Sequence, residues 1–375
     1  MNFGPGSTDV FVIGGGPAGL AAAIAARRRG FRVLLADHSL PPIDKACGEG
    51  IMPDGVAAAR ALGIDLTASG AQPFRGIRFC SGAEAGVGAC AVEAEFPRGF
   101  GLGLRRTALH RLMVEHALDA GVQLEWGLRV TGIREDGVEV DGRLTPARWI
   151  IGADGCHSTV RRWAGLEASD RDSQRFGFRR HYRVAPWTDF MEIHWGDGCQ
   201  LYVTPVSREE ICVVSITRNS RLRLDDTLPQ FPEVARRLAG PASLERGGVS
   251  ASRRLQAVYR GRVALVGDAS GSVDAITGEG LCLLFQQAAA LSGALERNDL
   301  SLYQAEHRLI GRRPEWMAGI MLLLDRRTRL RRRALGAMAS RPRLFARMLA
   351  MHLGELSRLD GLTTGLAFGW HMLTL

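Results

Sequence analysis

The residues of this chain best suited to chemistry begin with three glycines. Gly14, Gly16 and Gly19 spell G-x-G-x-x-G directly after the apolar run Val10–Ile13 and directly before the alanine-rich stretch Leu20–Arg29. In that setting the first glycine makes a tight turn, the second lets backbone approach a diphosphate, and the third lets helix pack on strand. Ala18 and Gly19 then sit at a helix N-terminus, where free N–H groups and the positive dipole end suit phosphate oxygens. Asp37 closes the next apolar strand, Phe31–Ala36, at the place where an acid accepts from ribose hydroxyls. The pattern predicts a dinucleotide site. The competing reading is a glycine-rich strand–helix turn in an unrelated sheet.

Three further segments carry reactive or ligand-binding types. Asp154 lies in Ile150–Arg161 (I-I-G-A-D-G-C-H-S-T-V-R) and Asp268 in Arg262–Leu281. Each follows a buried-strand pattern, which places a carboxylate at the carboxyl end of a parallel sheet, where ligands bind; singly, each also reads as a turn former or N-cap. Thr277-Gly278-Glu279-Gly280 precedes an apolar helix beginning near Leu281, so the amides there form another helix start. Asp44–Pro53 reads D-K-A-C-G-E-G-I-M-P. Gly48 and Gly50 permit close backbone approach beside one thiol and one carboxylate. Glu49 is a candidate proton donor or base if burial raises its pKa. Cys47 is a candidate for shaping the pocket or reacting, against its plainer reading as a small buried hydrophobe. Lys45, the only lysine of the chain, is a candidate phosphate contact or a solvated side chain.

The elements that must position these residues follow from periodicity. Strand, turn, helix and strand over the first forty residues make a right-handed parallel crossover. Arg106–Ala120 reads as a helix with Leu109, Leu112, Met113 and His116 on one stripe. Phe176–Val184, Met191–Val206 and Glu210–Thr217 alternate as an antiparallel sheet would. Beyond Leu281 the chain is mostly helical. Composition agrees with a folded protein: of 375 residues, 46% are hydrophobic and 23% charged, which excludes disorder as the main state. The 46 glycines show no G-X-Y period, which excludes collagen. The net charge of +9 suits an anionic cofactor, an acidic membrane surface or nucleic acid and selects none of them. Seven scattered cysteines without a C-x-x-C give no support to zinc or dithiol chemistry, so no metal site is expected; they fit reduced thiols in the cytoplasm. Met1–Asp9 lacks the pattern of a leader, and no apolar run is long enough to span a bilayer.

Taken together and in this order, the three motifs resemble the flavoprotein superfamily of p-hydroxybenzoate hydroxylase, which also holds geranylgeranyl reductases and flavin halogenases. The resemblance runs from about Val10 to Leu295. It implies an α/β fold: a Rossmann-like FAD-binding domain with an inserted antiparallel β-sheet substrate domain and C-terminal helices. The expected boundaries are 1–73, 101–170 and 261–300 for the FAD domain, 74–100 and 171–260 for the sheet, and 301–375 for the helices. It implies non-covalent FAD, with NAD(P)H as a transient reductant. Asp154 would lie near the diphosphate, Asp268 at the ribityl chain, Arg106 against the cofactor and Val130 at the adenine. Gly278, Gly280 and Leu281 would face the flavin pyrimidine edge, and the Lys45–Gly50 loop would line the active face of the flavin. Phe176, Phe178, Tyr182, Trp195 and Tyr202 are candidate apolar contacts, each also explained as core.

The chain departs from the hydroxylases in carrying G-D-A-S-G and T-G-E-G, which with C-G-E-G look more like the geranylgeranyl-reductase branch and like flavoproteins that tailor type III polyketides. It has no G-W-x-W-x-I-P, which argues against a halogenase, and no second G-x-G-x-x-G. The leading expectation is hydroxylation of an aromatic or polyketide-like small molecule with NAD(P)H and O2. The alternative is reduction of C=C bonds in a lipid. A non-catalytic nucleotide-binding module with a basic surface is the third. Arg326, Arg327, Arg329, Arg331, Arg332 and Arg333, preceded by Met317, Ile320, Met321 and Leu324, suit either peripheral contact with an anionic membrane or a solvated face over a packed helix. Nucleic acid is not an expected partner, and the sequence leaves the oligomeric state open.

Overall fold

The computed structural model describes residues 8–81, 90–167 and 171–374. Of the stretch Met1–Asp9, only Thr8 and Asp9 fall within it. The fingerprint strand Thr8–Ile13 lies at the centre of a parallel sheet, with Val33–Asp37 and Gln123–Trp126 to one side and Arg143–Gly152 and Val263–Leu265 to the other. Val10, Phe11 and Val12 are wholly buried, because helices and loops cover both faces of the sheet, as continuous apolar strands require. The helix Pro17–Arg28 packs on this sheet through Leu20, Ile24 and a run of buried alanines. Those short side chains let the long helix Gly280–Glu296 lie against it.

The second sheet has seven strands in the order Arg246–Arg253, Arg171–Tyr182, Ile211–Thr217, Cys199–Pro205, Phe190–Trp195, Gly76–Ser81 and Cys90–Glu95. It departs from the expected antiparallel sheet at one place: Phe190–Trp195 runs parallel to Gly76–Ser81. Nor do its central strands alternate in burial. Every residue of Cys199–Pro205 and Ile211–Thr217 is buried. One face meets the main core through Met191, Tyr202, Val214 and Ile216. The other carries its own cluster of Leu201, Val203 and Val213 under Phe231 and Val234.

Four helices, Leu300–Arg326, Thr328–Ser340, Pro342–His352 and Arg358–Thr374, close the chain. Three of the four apolar residues picked out ahead of the arginine run face inward. Met321 is buried, and Met317 and Leu324 pack half-buried against the main core, so the packed-helix reading holds there. Arg331 is buried too, its guanidinium 5.6 Å from the centre of the Trp195 ring. Among the described residues no helix is long and apolar enough to cross a membrane.

Candidate functional site

A cavity of about 1020 Å³ runs between the two sheets, at the upper end of the range for small-molecule and cofactor sites. Every candidate catalytic or cofactor-binding residue named from the sequence lines it except Gly19. The fingerprint explains that exception. A side chain at Gly19 would stand 1.8 Å from the Gly14 carbonyl oxygen, so this glycine serves helix-to-strand packing. Gly14 takes a φ of 113°, and a side chain there would meet the Ala153 carbonyl oxygen at 2.5 Å. At Gly16 a side chain would meet nothing within 4 Å, although Gly16 lines the cavity. The helix that follows begins at Pro17, which has no N–H, and carries neither a capping side chain nor an acid in its first turn. Pro17 and Ala18 line the cavity, so this helix start meets it as an uncapped anion seat.

Asp37 reaches back to this turn: its Oδ2 accepts from the Gly15 amide at 2.6 Å and its Oδ1 from Ser39 at 2.7 Å. His110, absent from the helical stripe read in the sequence, braces the same turn. Its Nε2 lies 2.9 Å from the Gly15 carbonyl oxygen, and burial holds its pKa below the usual histidine value. No local signal marks it, because its partner is 95 residues away.

Asp154 lines the cavity, but its carboxylate also does what an N-cap does. It accepts from the Thr159 amide at 2.7 Å, the Val160 amide at 3.1 Å and the Ser158 hydroxyl, at the start of the helix Thr159–Trp163. Arg161, the last residue of that motif, is buried and donates to the carbonyls of Ala269 (3.0 Å) and Cys156 (2.9 Å), tying the second motif to the third. Asp268 pairs with Lys45 at 2.8 Å, so the lone lysine bridges the C-G-E-G loop and the third motif. Burial would raise the Asp268 carboxyl, but the touching ammonium outweighs it and holds the group below its ordinary value; the same contact raises Lys45.

The Asp44–Gly50 loop is clamped from the second sheet. Arg179 holds Asp44 at both oxygens (3.0 and 2.9 Å) and donates to Glu49 Oε1 at 2.7 Å. His181, two residues along the same strand face, places Nε2 2.7 Å from Glu49 Oε2. The Arg106 amide adds a third bond to Glu49, at 2.9 Å. Glu49 is buried and takes a φ of 60°, a strained conformation for a side-chain-bearing residue, between two glycines that give it room. Cys47 accepts from the Glu49 amide at 3.3 Å, and burial pushes its thiol up. Glu49, His181 and Cys212 also bring three ligand-type atoms within 4.8 Å of one another. A cation there would compete with the guanidinium already on that carboxylate, which disfavours a metal.

The far end of the cavity is framed by Gly278, in the left-handed region at φ 69°, and by the helix Gly280–Glu296, whose start has no side-chain cap. The sheet side is apolar, formed by Met191, Tyr202, Val214 and Ile216. Of the five candidate aromatics only Tyr202 lines the cavity, its hydroxyl donating to the Ile276 carbonyl at 2.5 Å. Phe178, Tyr182 and Trp195 are buried in hydrophobic clusters, and Phe176 packs against one of them.

The arrangement fits an extended adenine dinucleotide on three counts. Gly16 leaves room for a ligand, two uncapped helix starts face one cavity, and the buried Nε of cavity-lining Arg106 has no partner among the described residues. Comparison with known proteins agrees. A family model described as an FAD binding domain matches residues 7–221. Digeranylgeranylglycerophospholipid reductase of Methanosarcina acetivorans is 30% identical over 326 residues, covering 80% of this chain and 78% of that protein. Rifampicin monooxygenase of Rhodococcus hoagii is 28% identical over 336 residues, covering 80% and 68%. The crystal structure of a flavoprotein/dehydrogenase from Cytophaga hutchinsonii superposes with a TM-score of 0.79 at 19% identity, over 92% of each chain, which shows a shared fold.

Proposed function

The chain belongs to the FAD binding domain family and is an FAD-dependent oxidoreductase, and from that premise we propose that it reduces a carbon–carbon double bond in an apolar, lipid-like molecule, with a reduced nicotinamide as the outside source of electrons. FAD when bound supplies the two-electron chemistry. The residues that would hold it are the fingerprint amides and Asp37 at one end, Arg106 and Asp268 between, and the Gly278–Leu281 helix start at the other.

The observation that carries the reductive reading is the make-up of the cavity wall, where a thiol and a buried carboxyl stand on a cavity with one apolar side. Saturating a double bond requires a proton to be given to carbon. Hydroxylating a phenol calls for a base to take one away. Two groups on the wall hold protons: the Cys47 thiol is pushed up by burial, and the Glu279 carboxyl is raised to about 8, by burial and then by the nearby Asp54 carboxylate. Glu49, the other carboxylate beside Cys47, is matched to Arg179, His181 and the Arg106 amide. In this reading it fixes the loop and takes no proton from substrate. The apolar sheet side would exclude water from the reacting double bond. Similarity to a lipid reductase over most of both chains supports the same class of substrate.

Similarity to rifampicin monooxygenase favours a second reading, oxygen-dependent hydroxylation. Turnover under strict exclusion of oxygen separates the two. The reductive reading expects NAD(P)H oxidation coupled to loss of an alkene in an isoprenoid alcohol without oxygen. Product formation that stops without oxygen, with one oxygen atom found in the product when it is present, would replace the first reading with the second.

A further inference from the structure

The helical C-terminus reaches the cavity wall at one point. Glu279 stands at the helix start between Gly278 and Gly280, lines the cavity and is only 6% exposed. Its Oε1 lies 3.3 Å from Nε2 of His352, the last residue of the helix Pro342–His352. Among the described residues its buried Oε2 has no hydrogen-bond partner, and neither has His352 Nδ1. A buried polar atom left unmatched costs about 1–3 kcal/mol, so its retention on a ligand cavity calls for a partner that comes with the ligand.

Resting on the reductive reading above, we propose that Glu279 is the proton donor to the substrate and that His352 is its positioning residue, donating Nε2–H to Oε1 so that the carboxylic O–H on Oε2 is left for the cavity. In the step itself the alkene π bond breaks. One carbon would take the hydride that FAD supplies when bound and reduced, the other would take the Glu279 proton, and the O–H bonding pair would stay on the Glu279 carboxylate. Solvent protons restore the acid after product leaves.

The surroundings keep both groups neutral, as the roles require. Burial, then the Asp54 carboxylate on the helix Pro53–Ala61, raise Glu279 to about 8, against smaller lowering effects from the Thr277 hydroxyl and from Arg313 on the helix Leu300–Arg326. Burial, with Arg313 beside it, lowers His352 to about 4. Asp54 is itself raised by burial and accepts from Gln286 at 3.1 Å. Cys282, one turn into the same helix as Glu279, is pushed up by burial and so adds no charge at neutral pH. At pH 7 a neutral carboxyl meets a neutral imidazole, and the only proton able to leave the pair toward the cavity is the one on Glu279.

The test uses the full-length, FAD-loaded protein. Infrared titration of the oxidised enzyme without substrate should show a carboxylic-acid band that ionises with a midpoint near 8 and is missing from Glu279→Gln. His352→Phe removes the Nε2–H that in this proposal is donated to Oε1 and favours the carboxylate, so the midpoint should move upward. With geranylgeraniol as the probe alkene, Glu279→Gln should slow product formation by roughly 100-fold, with FAD still bound, and the fall in rate above pH 8 should vanish; Glu279→Asp should recover part of the rate. A band that survives in Glu279→Gln, or a wild-type protein without one, overturns the pair. Wild-type rates in Glu279→Gln overturn the donor role. A holoenzyme that shows the band but forms only oxygen-dependent product shows that the reductive reading has failed and the donor role with it.

Discussion

The fingerprint glycines differ in what their missing side chains avoid, and that difference separates binding from folding. Gly16 faces open cavity, whereas Gly19 faces the Gly14 carbonyl. Gly16→Val should therefore give folded protein with little or no bound FAD, read as flavin absorbance per chain. Gly19→Ala should lower stability by a few kcal/mol through forced separation of helix and strand, on the order of other overpacked sites. Full flavin occupancy in Gly16→Val would remove the diphosphate from this turn. These positions were legible in the sequence because each obeys local geometry: a turn, a close approach and a helix start within six residues. The partners of Glu49 were not. Arg179 and His181 are 130 and 132 residues away, and nothing in their own neighbourhood distinguishes them from other polar residues of a strand. Glu279 was readable as part of a glycine-flanked helix start, but its burial and its contact with His352 depend on how the last helices pack.

At the scale of elements, two helices carry histidines that burial holds neutral. His307, on Leu300–Arg326, is lowered to about 4 and meets the Ser270 hydroxyl at 2.9 Å; His352 is lowered to about 4 as well. An unfolded histidine takes its proton near 6.5. Between that pH and about 4 the unfolded chain binds more protons than the folded one, so stability falls as the pH falls through this window. Glu279 works the other way. Its folded value near 8 exceeds the unfolded one, so its contribution grows as the pH falls from 8 toward the ordinary carboxyl range. The wild-type curve mixes the two signs. The diagnostic is a difference: on going from pH 7 to pH 5, His307→Gln should lose on the order of 2 kcal/mol less stability than the wild type in urea unfolding. Equal losses would mean that His307 is not held neutral. The helices themselves were readable from composition and periodicity. The second sheet was readable as an inserted antiparallel sheet, but the two-sided burial of its central strands and its one parallel pair were not. Its central strands are buried on both faces because Phe231 and Val234 cover the outer one, and its parallel pair joins segments more than a hundred residues apart.

For the whole molecule, the cavity is where distant pieces of chain meet. The turn after the first strand, the Lys45–Gly50 loop, the start of the Arg106–Asp119 helix, the Val130 strand, the Asp154 turn and the Gly267–Leu281 stretch all line one space. Several of these pieces are loops held by few bonds of their own: the Lys45–Gly50 loop depends on Arg179, His181 and the Lys45–Asp268 pair to stay against the sheets. A cofactor that touches all of them and binds only the folded state adds RT ln(1 + [L]/Kd), about 2.7 kcal/mol at a hundredfold excess over Kd. Stripping FAD should thus lower the melting temperature by several degrees, and restoring it should raise the value in proportion to the logarithm of its concentration. The gain should also be local. Hydrogen exchange should slow on adding FAD at 45–50 and 271–279, where the backbone lines the cavity. It should barely change in Cys199–Pro205 and Ile211–Thr217, where pairing on both sides already protects the amides. If FAD instead protected only the fingerprint turn, the cavity would be two separate sites, and the later motifs would have to be assigned to something other than this cofactor.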